Sequence, residues 1–121
     1  MSLIDETEVN IISEGTKLEG NIHFDKTTRV HGVLIGDVTA SENSRFILGE
    51  TAVVEGNIEG DYIFIDGYVR GDIHALSKVT VSATGRVLGN INAPSVEVKF
   101  GAYFDGKCYM NSLRTATASL E

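Results

Sequence analysis

Val54-Glu55-Gly56-Asn57-Ile58 is one copy of a pentapeptide that decides the fold, because variants of it recur along nearly the whole chain. Each copy has an aliphatic or aromatic residue two positions before a glycine. The last and most divergent copy is Phe104-Asp105-Gly106-Lys107-Cys108, and the others are residues 18–22, 34–38, 69–73 and 87–91. Successive glycines are 16, 20, 15, 18 and 17 residues apart. A period this short predicts a solenoid of stacked turns.

The first and last residues of each pentapeptide should face the core, because alternate residues of a strand face the same side. One predicted core column is Leu18, Leu34, Val54, Val69, Val87 and Phe104. The second predicted column is Ile22, Val38, Ile58, Ile73, Ile91 and Cys108. Cys108 is therefore expected to be a small buried hydrophobe. The glycine between the two columns predicts a tight corner, where a Cβ would crowd the core.

A further strand precedes each pentapeptide, most clearly at Val79-Thr80-Val81 and Val96-Glu97-Val98. No apolar period of 3.6 residues persists beyond one turn, so helices are not expected. The pattern predicts an all-β, single-domain parallel β-helix, a three-sided solenoid of about six coils. The predicted coils are residues 9–24, 25–40, 41–60, 61–75, 76–93 and 94–110. Residues 1–8 and 111–121 are expected to be flexible terminal segments.

The composition restricts the possible partners and compartment. The formal net charge is -7, which argues against a nucleic-acid surface and against simple adhesion to anionic lipid. No apolar run approaches the roughly 18 residues that a membrane-spanning helix needs. The single cysteine, Cys108, cannot form an internal disulfide, so we expect a reducing compartment, the cytoplasm.

No catalytic, cofactor or metal site is predicted. His23, His31 and His74 are interpreted as outward strand residues. The Asn/Asp column is better explained by a hydrogen-bonded ladder than by calcium, because carboxylates two coils apart are about 10 Å from each other, too far to share one ion. The column consists of Asn21, Asp37, Asn57, Asp72, Asn90 and Lys107.

The two ends of a β-helix are open sheet edges with an exposed apolar core, and edges of this kind invite pairing with another chain. Aromatic residues are concentrated in the last coil, which predicts a polymer interface there. The predicted carboxy-terminal interface is Phe100, Tyr103, Phe104, Tyr109 and Met110. The predicted amino-terminal interface is Val9, Ile11, Ile12 and Leu18. An alternative is that the aromatics close the core within one chain.

With these columns laid out, the chain resembles the bactofilins, a family of bacterial polymer-forming cytoskeletal proteins. The resemblance rests on the repeated units, on residues 15–22, and on residues 93–108 with their closing Gly106-Lys107-Cys108. It covers residues 9–110. It implies a right-handed β-helix that joins end to end into filaments without nucleotide, with like ends paired, although the residues alone equally allow head-to-tail addition.

The resemblance also implies a scaffold for cell-shape or envelope-synthesis machinery, often at the inner face of the cytoplasmic membrane. The expected partner is the chain itself, with cell-wall or morphogenesis proteins as further partners. Bactofilins often carry a basic or apolar amino-terminal membrane signal. Here residues 5–8 are acidic, which leaves membrane contact open.

The sequence also allows two other functions. A left-handed β-helix acyltransferase would use strict hexapeptides and coils of eighteen residues, and the glycine intervals fit this poorly. A monomeric surface- or carbohydrate-binding solenoid would need a stacking stripe on one side. Outward aromatics suit such a stripe, namely Tyr62, Phe64, Tyr68 and Tyr103.

Overall fold

The computed structural model describes residues 9–110. Within this range the chain is all-β, with sixteen strands and no helix, and every strand pairing is parallel. The chain forms a parallel β-solenoid of about six coils, as predicted. The expectation of flexible termini concerns residues 1–8 and 111–121, which lie outside the described range. Residues 9–110 contain no helix that is long and apolar enough to cross a membrane.

Each coil contributes one strand segment to each of three faces. On face 1, equivalent segments of the six coils pair side by side. Its strands are β1 (Val9–Ile12), β4 (Thr27–Val30), β7 (Arg45–Leu48), the second half of β9 (Ile58–Ile65), the second half of β11 (Ile73–Val81) and β14 (Val96–Val98).

Face 2 holds the first part of each pentapeptide and is a separate six-stranded sheet. Its strands are β2 (Lys17–Glu19), β5 (Val33–Ile35), β8 (Val53–Glu55), β10 (Tyr68–Arg70), β12 (Arg86–Leu88) and β15 (Tyr103–Asp105).

Face 3 holds the last part of each pentapeptide. Its strands are β3 (Ile22–Phe24), β6 (Val38–Ala40), the first half of β9, the first half of β11, β13 (Ile91–Asn92) and β16 (Cys108–Tyr109). Because β9 and β11 run across a corner without a break, faces 1 and 3 belong to one ten-stranded sheet.

The pentapeptide columns lie in register along the solenoid. Leu18 pairs with Leu34, and the column continues to Phe104. Ile22 pairs with Val38, and that column continues to Cys108. The interior members of both columns are almost fully buried. Each such aliphatic side chain contributes about 1.5–3 kcal/mol by leaving water, so stacked columns account for much of the stability.

The expectation for Cys108 was wrong for the single chain, because this side chain is exposed. It has the same register as the buried Ile91, but no coil within residues 9–110 lies beyond it. The prediction that a Cβ at the column glycines would crowd the core was also wrong. A Cβ on Gly56 would lie 2.0 Å from the carbonyl oxygen of Gly36, so the glycines are required by backbone stacking between coils and not by the core.

The corners are held by carboxylates that accept hydrogen bonds from neighbouring coils. Asp61 is buried, and its carboxylate accepts from the backbone N–H of Asn43 at 2.6 Å and from the Ser77 hydroxyl. Ser77 belongs to a bulge, where the register between β9 and β11 shifts after Ala75. At the next corner, Ser82 and Thr84 donate their hydroxyl hydrogens to Asp66. Corner length can therefore vary while the faces stay in register.

Candidate polymer interface

The two ends of the solenoid are the places where strands lack a neighbour. Within residues 9–110, β1, β2 and β3 pair only with the second coil. The last strands, β14, β15 and β16, pair only with the fifth coil. Each end therefore presents one row of backbone donors and acceptors on every face, around the end of the apolar core. Such an edge is a template for pairing with another chain.

The carboxy-terminal end has an apolar surface over the core. Phe104 is half-buried against Val87, with which it is in register. Val98, the last member of the column that contains the buried Val81, is 44% exposed. Met110 follows β16 in line with Ala93 and is 61% exposed. Together with Cys108, these side chains occupy inward positions that a seventh coil would bury.

Three of the predicted carboxy-terminal interface residues lie elsewhere on the last coil. Tyr103 is an outward residue of face 2, in register with Arg86. Tyr109 is an outward residue of face 3, in register with Asn92. Phe100 is fully exposed at a corner, where earlier coils have Glu14, Glu50 and Ala83 at the same turn position. These three side chains surround the end and do not cover the core.

The amino-terminal end has fewer exposed apolar side chains within residues 9–110. Ile12 and Leu18 are half-buried against the core, and Ile22, which sequence reasoning placed in a core column, belongs beside them at this end. Ile11 is 62% exposed and lies outward on face 1, in register with Arg29. Val9 begins β1, beside Thr27. The inward residues of the first and last coils could have been found from the columns alone, by asking which members lack a neighbour on one side.

The Asn/Asp column forms a ladder of a different kind from the one expected. From Asn57 onward, the side-chain oxygen of one column residue accepts from the backbone N–H of the column residue in the next coil. Asn57 accepts from Asp72 at 3.2 Å, Asp72 from Asn90 at 3.0 Å, and Asn90 from Lys107 at 3.0 Å. Because only one side-chain oxygen is used, Asn and Asp serve equally. No cluster of His, Cys, Asp and Glu within residues 9–110 has the geometry to hold a metal ion.

The histidines do not converge on a site. His74 is exposed on face 3, and His23 is exposed beside Asp25, with His23 Nε2 3.2 Å from Asp25 Oδ1. The pKa of Asp25 is lowered mainly by the hydrogen bond from the Ser41 hydroxyl and next by the one from His23. His31 was expected on a strand but lies half-buried at a corner next to Gly49, because the chain turns directly after β4.

The aromatic stripe expected of a carbohydrate-binding solenoid is also absent from the described residues. Tyr62 and Phe64 lie on face 1, in β9. Tyr68 and Tyr103 lie on face 2, in β10 and β15. The four side chains are therefore divided between two faces and cannot form one stacking surface.

Comparison with known proteins identifies the family. The family model for bactofilins, described as polymer-forming cytoskeletal, matches residues 10–109. The chain belongs to the bactofilin family. It is 33% identical over 101 residues to the bactofilin BacO of Myxococcus xanthus, an alignment that covers 84% of this chain and 79% of BacO. It is 26% identical over 113 residues to BacP of the same organism, covering 93% of this chain but only 46% of BacP.

A solved bactofilin structure has the same fold. It is a cryo-EM reconstruction of bactofilin double helical filaments from Thermus thermophilus. The match has a TM-score of 0.77 and 29% identity, and it covers 82% of this chain and 96% of that chain. This bactofilin is therefore a polymer-forming cytoskeletal protein by family, with the fold of a relative that forms filaments.

Proposed function

We propose that this bactofilin is a non-enzymatic scaffold whose solenoid assembles end to end, without nucleotide, through the first and last coils. The observation that carries the proposal is the pair of ends that residues 9–110 leave uncovered. Each end has strand edges that find no partner within this range, around apolar side chains. A few hundred Å² of apolar surface buried at each joint would contribute several kcal/mol before association costs, at about 25 cal/mol per Å².

The surfaces proposed for the joint follow from the positions of the side chains. At the carboxy-terminal end, Phe104 and Met110 provide the apolar centre, and Cys108 lies beside them in register with the buried Ile91. Tyr103, Tyr109 and Phe100 form the rim. At the amino-terminal end, the central side chains are Ile12, Leu18 and Ile22, while Val9 and Ile11 lie in the edge strand β1.

We further propose that like ends pair. Head-to-tail addition would place the Asn21 amide of the next copy over Lys107, the one column residue without a side-chain oxygen. The hydrogen-bonded ladder would then break at every joint, at a cost of about 0.5–1.5 kcal/mol for each missing bond. Pairing of carboxy end with carboxy end also lacks this bond, but it brings the apolar side chains of that end against their own copies, which head-to-tail addition does not.

The cellular role proposed for the filament is to organise cell-shape or envelope-synthesis machinery from the cytoplasm, at the inner face of the cytoplasmic membrane. Cell-wall and morphogenesis proteins are the proposed clients. Flotation with liposomes in a density gradient tests whether the chain itself contacts the membrane, because filaments alone do not float, and protein recovered in the floated lipid fraction would support direct contact. Recovery of the protein independently of lipid would assign membrane attachment to a partner.

Purified, tag-free protein without added nucleotide provides the test of assembly. Sedimentation velocity and negative-stain microscopy should show long filaments that grow with protein concentration. A uniform trimer would instead favour the acyltransferase class, and a stable monomer at all concentrations would favour a binding module. Either result would contradict the proposed scaffold.

A further inference from the structure

Face 1 carries a concave patch of arginine and aromatic side chains, away from both ends. We define the basic-aromatic patch as Arg29, Arg45, Ile47, Tyr62, Phe64 and Lys78. These residues line a depression of about 420 Å³ that extends across the second to fifth coils. Tyr62 is 45% and Phe64 is 37% exposed. The patch combines apolar surface with positive charge in a chain whose net charge is -7.

The charges of the patch are only partly balanced. Lys78 pairs with Glu97 at 3.2 Å, and Glu97 also pairs with Lys99 at 3.0 Å. Hydrogen bonds from Lys99 and then Lys78 lower the pKa of Glu97, which keeps its carboxylate ionised. Arg45 lies over the ring of Tyr62, with its Cζ 6.0 Å from the ring centroid. Within residues 9–110, no carboxylate lies within ion-pair distance of Arg29 or Arg45.

The neighbouring outward residues of face 1 supply no further carboxylate. The column that contains Arg29 continues through Ile47, Phe64 and Thr80 before it reaches Glu97. The column that contains Arg45 has Thr27 on one side and Tyr62 on the other. At the adjoining corner, Glu14, Glu50 and Asp66 line a second depression with Arg29, but none of them forms an ion pair with it. Both arginines therefore keep guanidinium donors for an acidic ligand that also has apolar side chains.

The sequence immediately before β1 has this chemistry. Ile4-Asp5-Glu6-Thr7-Glu8 carries three carboxylates and one isoleucine, and it joins β1 at Val9 on face 1. Val9 pairs with Thr27, whose column leads to Arg45 in the following coil. Arg45 is therefore two coils, or about 10 Å, from the start of β1. Three extended residues span the same distance, so Glu6 and Asp5 can reach Arg45.

We propose that residues 4–8 dock on the basic-aromatic patch of their own chain, with their carboxylates on Arg29 and Arg45. A surface charge pair contributes only about 0.2–1 kcal/mol, but a tether of a few residues keeps the effective concentration of the segment in the millimolar range or above. Docking covers Phe64 and Tyr62. It therefore makes the exposure of this lateral face depend on the amino-terminal segment and on ionic strength.

Disulfide trapping tests the proposal in the full-length chain. The background substitutions are Cys108→Ser, which removes the native thiol, and Phe104→Arg with Leu18→Arg, which block the two proposed joints and keep the chain unassembled. Glu6→Cys is combined with Ile47→Cys in the patch. The matched control combines Glu6→Cys with Glu55→Cys, which lies in the same coil but on face 2. Sedimentation of both proteins in reducing buffer establishes their assembly state.

Mild oxidation should give an intrachain 6–47 disulfide about tenfold faster than the 6–55 disulfide, because docking raises the local concentration of one pair only. Arg29→Glu with Arg45→Glu should remove this preference, and salt at about 0.5 M should reduce it, since the Debye length then falls below about 5 Å. Equal rates for the two pairs, or a preference that survives the charge reversal, would overturn the proposal. A 6–47 disulfide between two chains would also overturn it, by showing that a second copy covers the patch.

Discussion

The carbonyl oxygen of Gly36 lies 2.0 Å from the place that a Cβ on Gly56 would occupy. Gly56 also has a φ of +139°, a backbone conformation that residues with a side chain rarely adopt. The same relationship joins Gly56 to Gly71 and Gly71 to Gly89. The glycine column therefore allows the backbones of successive coils to approach at one corner, and a side chain would separate them.

Gly56→Ala should destabilise the solenoid by about 2–4 kcal/mol for two reasons. Alanine is strained at this positive φ, and its Cβ would clash with the Gly36 carbonyl, which belongs to the backbone and cannot move aside. Thermal unfolding followed by circular dichroism measures the effect. Gly60→Ala is the matched control. Its Cβ would meet Ala40 at 3.4 Å, and its φ is not positive, so this substitution should be neutral or slightly stabilising. Similar losses for both variants would contradict this explanation of the column.

Asn90→Ala should cost about 0.5–1.5 kcal/mol, since it removes the acceptor of the Lys107 amide. Asp72→Asn should leave stability nearly unchanged, because the side-chain oxygen of the new asparagine can replace the carboxylate as acceptor for the backbone N–H of Asn90. Unfolding curves with EDTA and with millimolar calcium complete the comparison. A midpoint that rises with calcium and loses this rise in Asp72→Asn would support the metal interpretation against the ladder.

The rate of thiol labelling at Cys108 should distinguish assembled from unassembled protein. Cys108 is exposed in the single chain, but partial desolvation by the preceding coil raises the pKa of its thiol. Less thiolate is therefore present at neutral pH than for a free cysteine, and labelling should keep accelerating as the pH rises above the ordinary thiol range of about 8.5. Filaments should label at least about tenfold more slowly than the unassembled protein at one pH, because the joint covers this side chain. Equal labelling rates in both states would place Cys108 outside the joint.

The oligomeric state of a variant with one blocked end determines the polarity of the filament. If like ends pair, Phe104→Arg should still form dimers through the amino-terminal coils, and the further substitution Leu18→Arg should convert these dimers into monomers. Equilibrium sedimentation distinguishes the two species. Head-to-tail assembly predicts monomers for Phe104→Arg alone, since every joint would then need the blocked surface.

The period of the sequence was enough to predict the coils and both core columns, because parallel stacking repeats the same contact in every coil. It was not enough for the end coils. Hydrophobicity alone groups Tyr103 and Tyr109 with the apolar centre of the end, but register with Arg86 and Asn92 places them outward, at the proposed rim of the joint. The corner at Asp61 was also missed, since a buried carboxylate is stabilised by hydrogen bonds from other coils that no local pattern reveals.

Electron microscopy of Phe104→Arg beside Leu76→Arg tests the central claim most directly. Both substitutions add a positive charge in place of a partly exposed apolar residue, but Leu76 lies on the side of the solenoid, 53% exposed in the β11 bulge. Circular dichroism should show that both variants are folded. If the chain assembles end to end through the last coil, Leu76→Arg should form filaments and Phe104→Arg should form none. Filaments of normal length from folded Phe104→Arg would show that the last coil is not the joint.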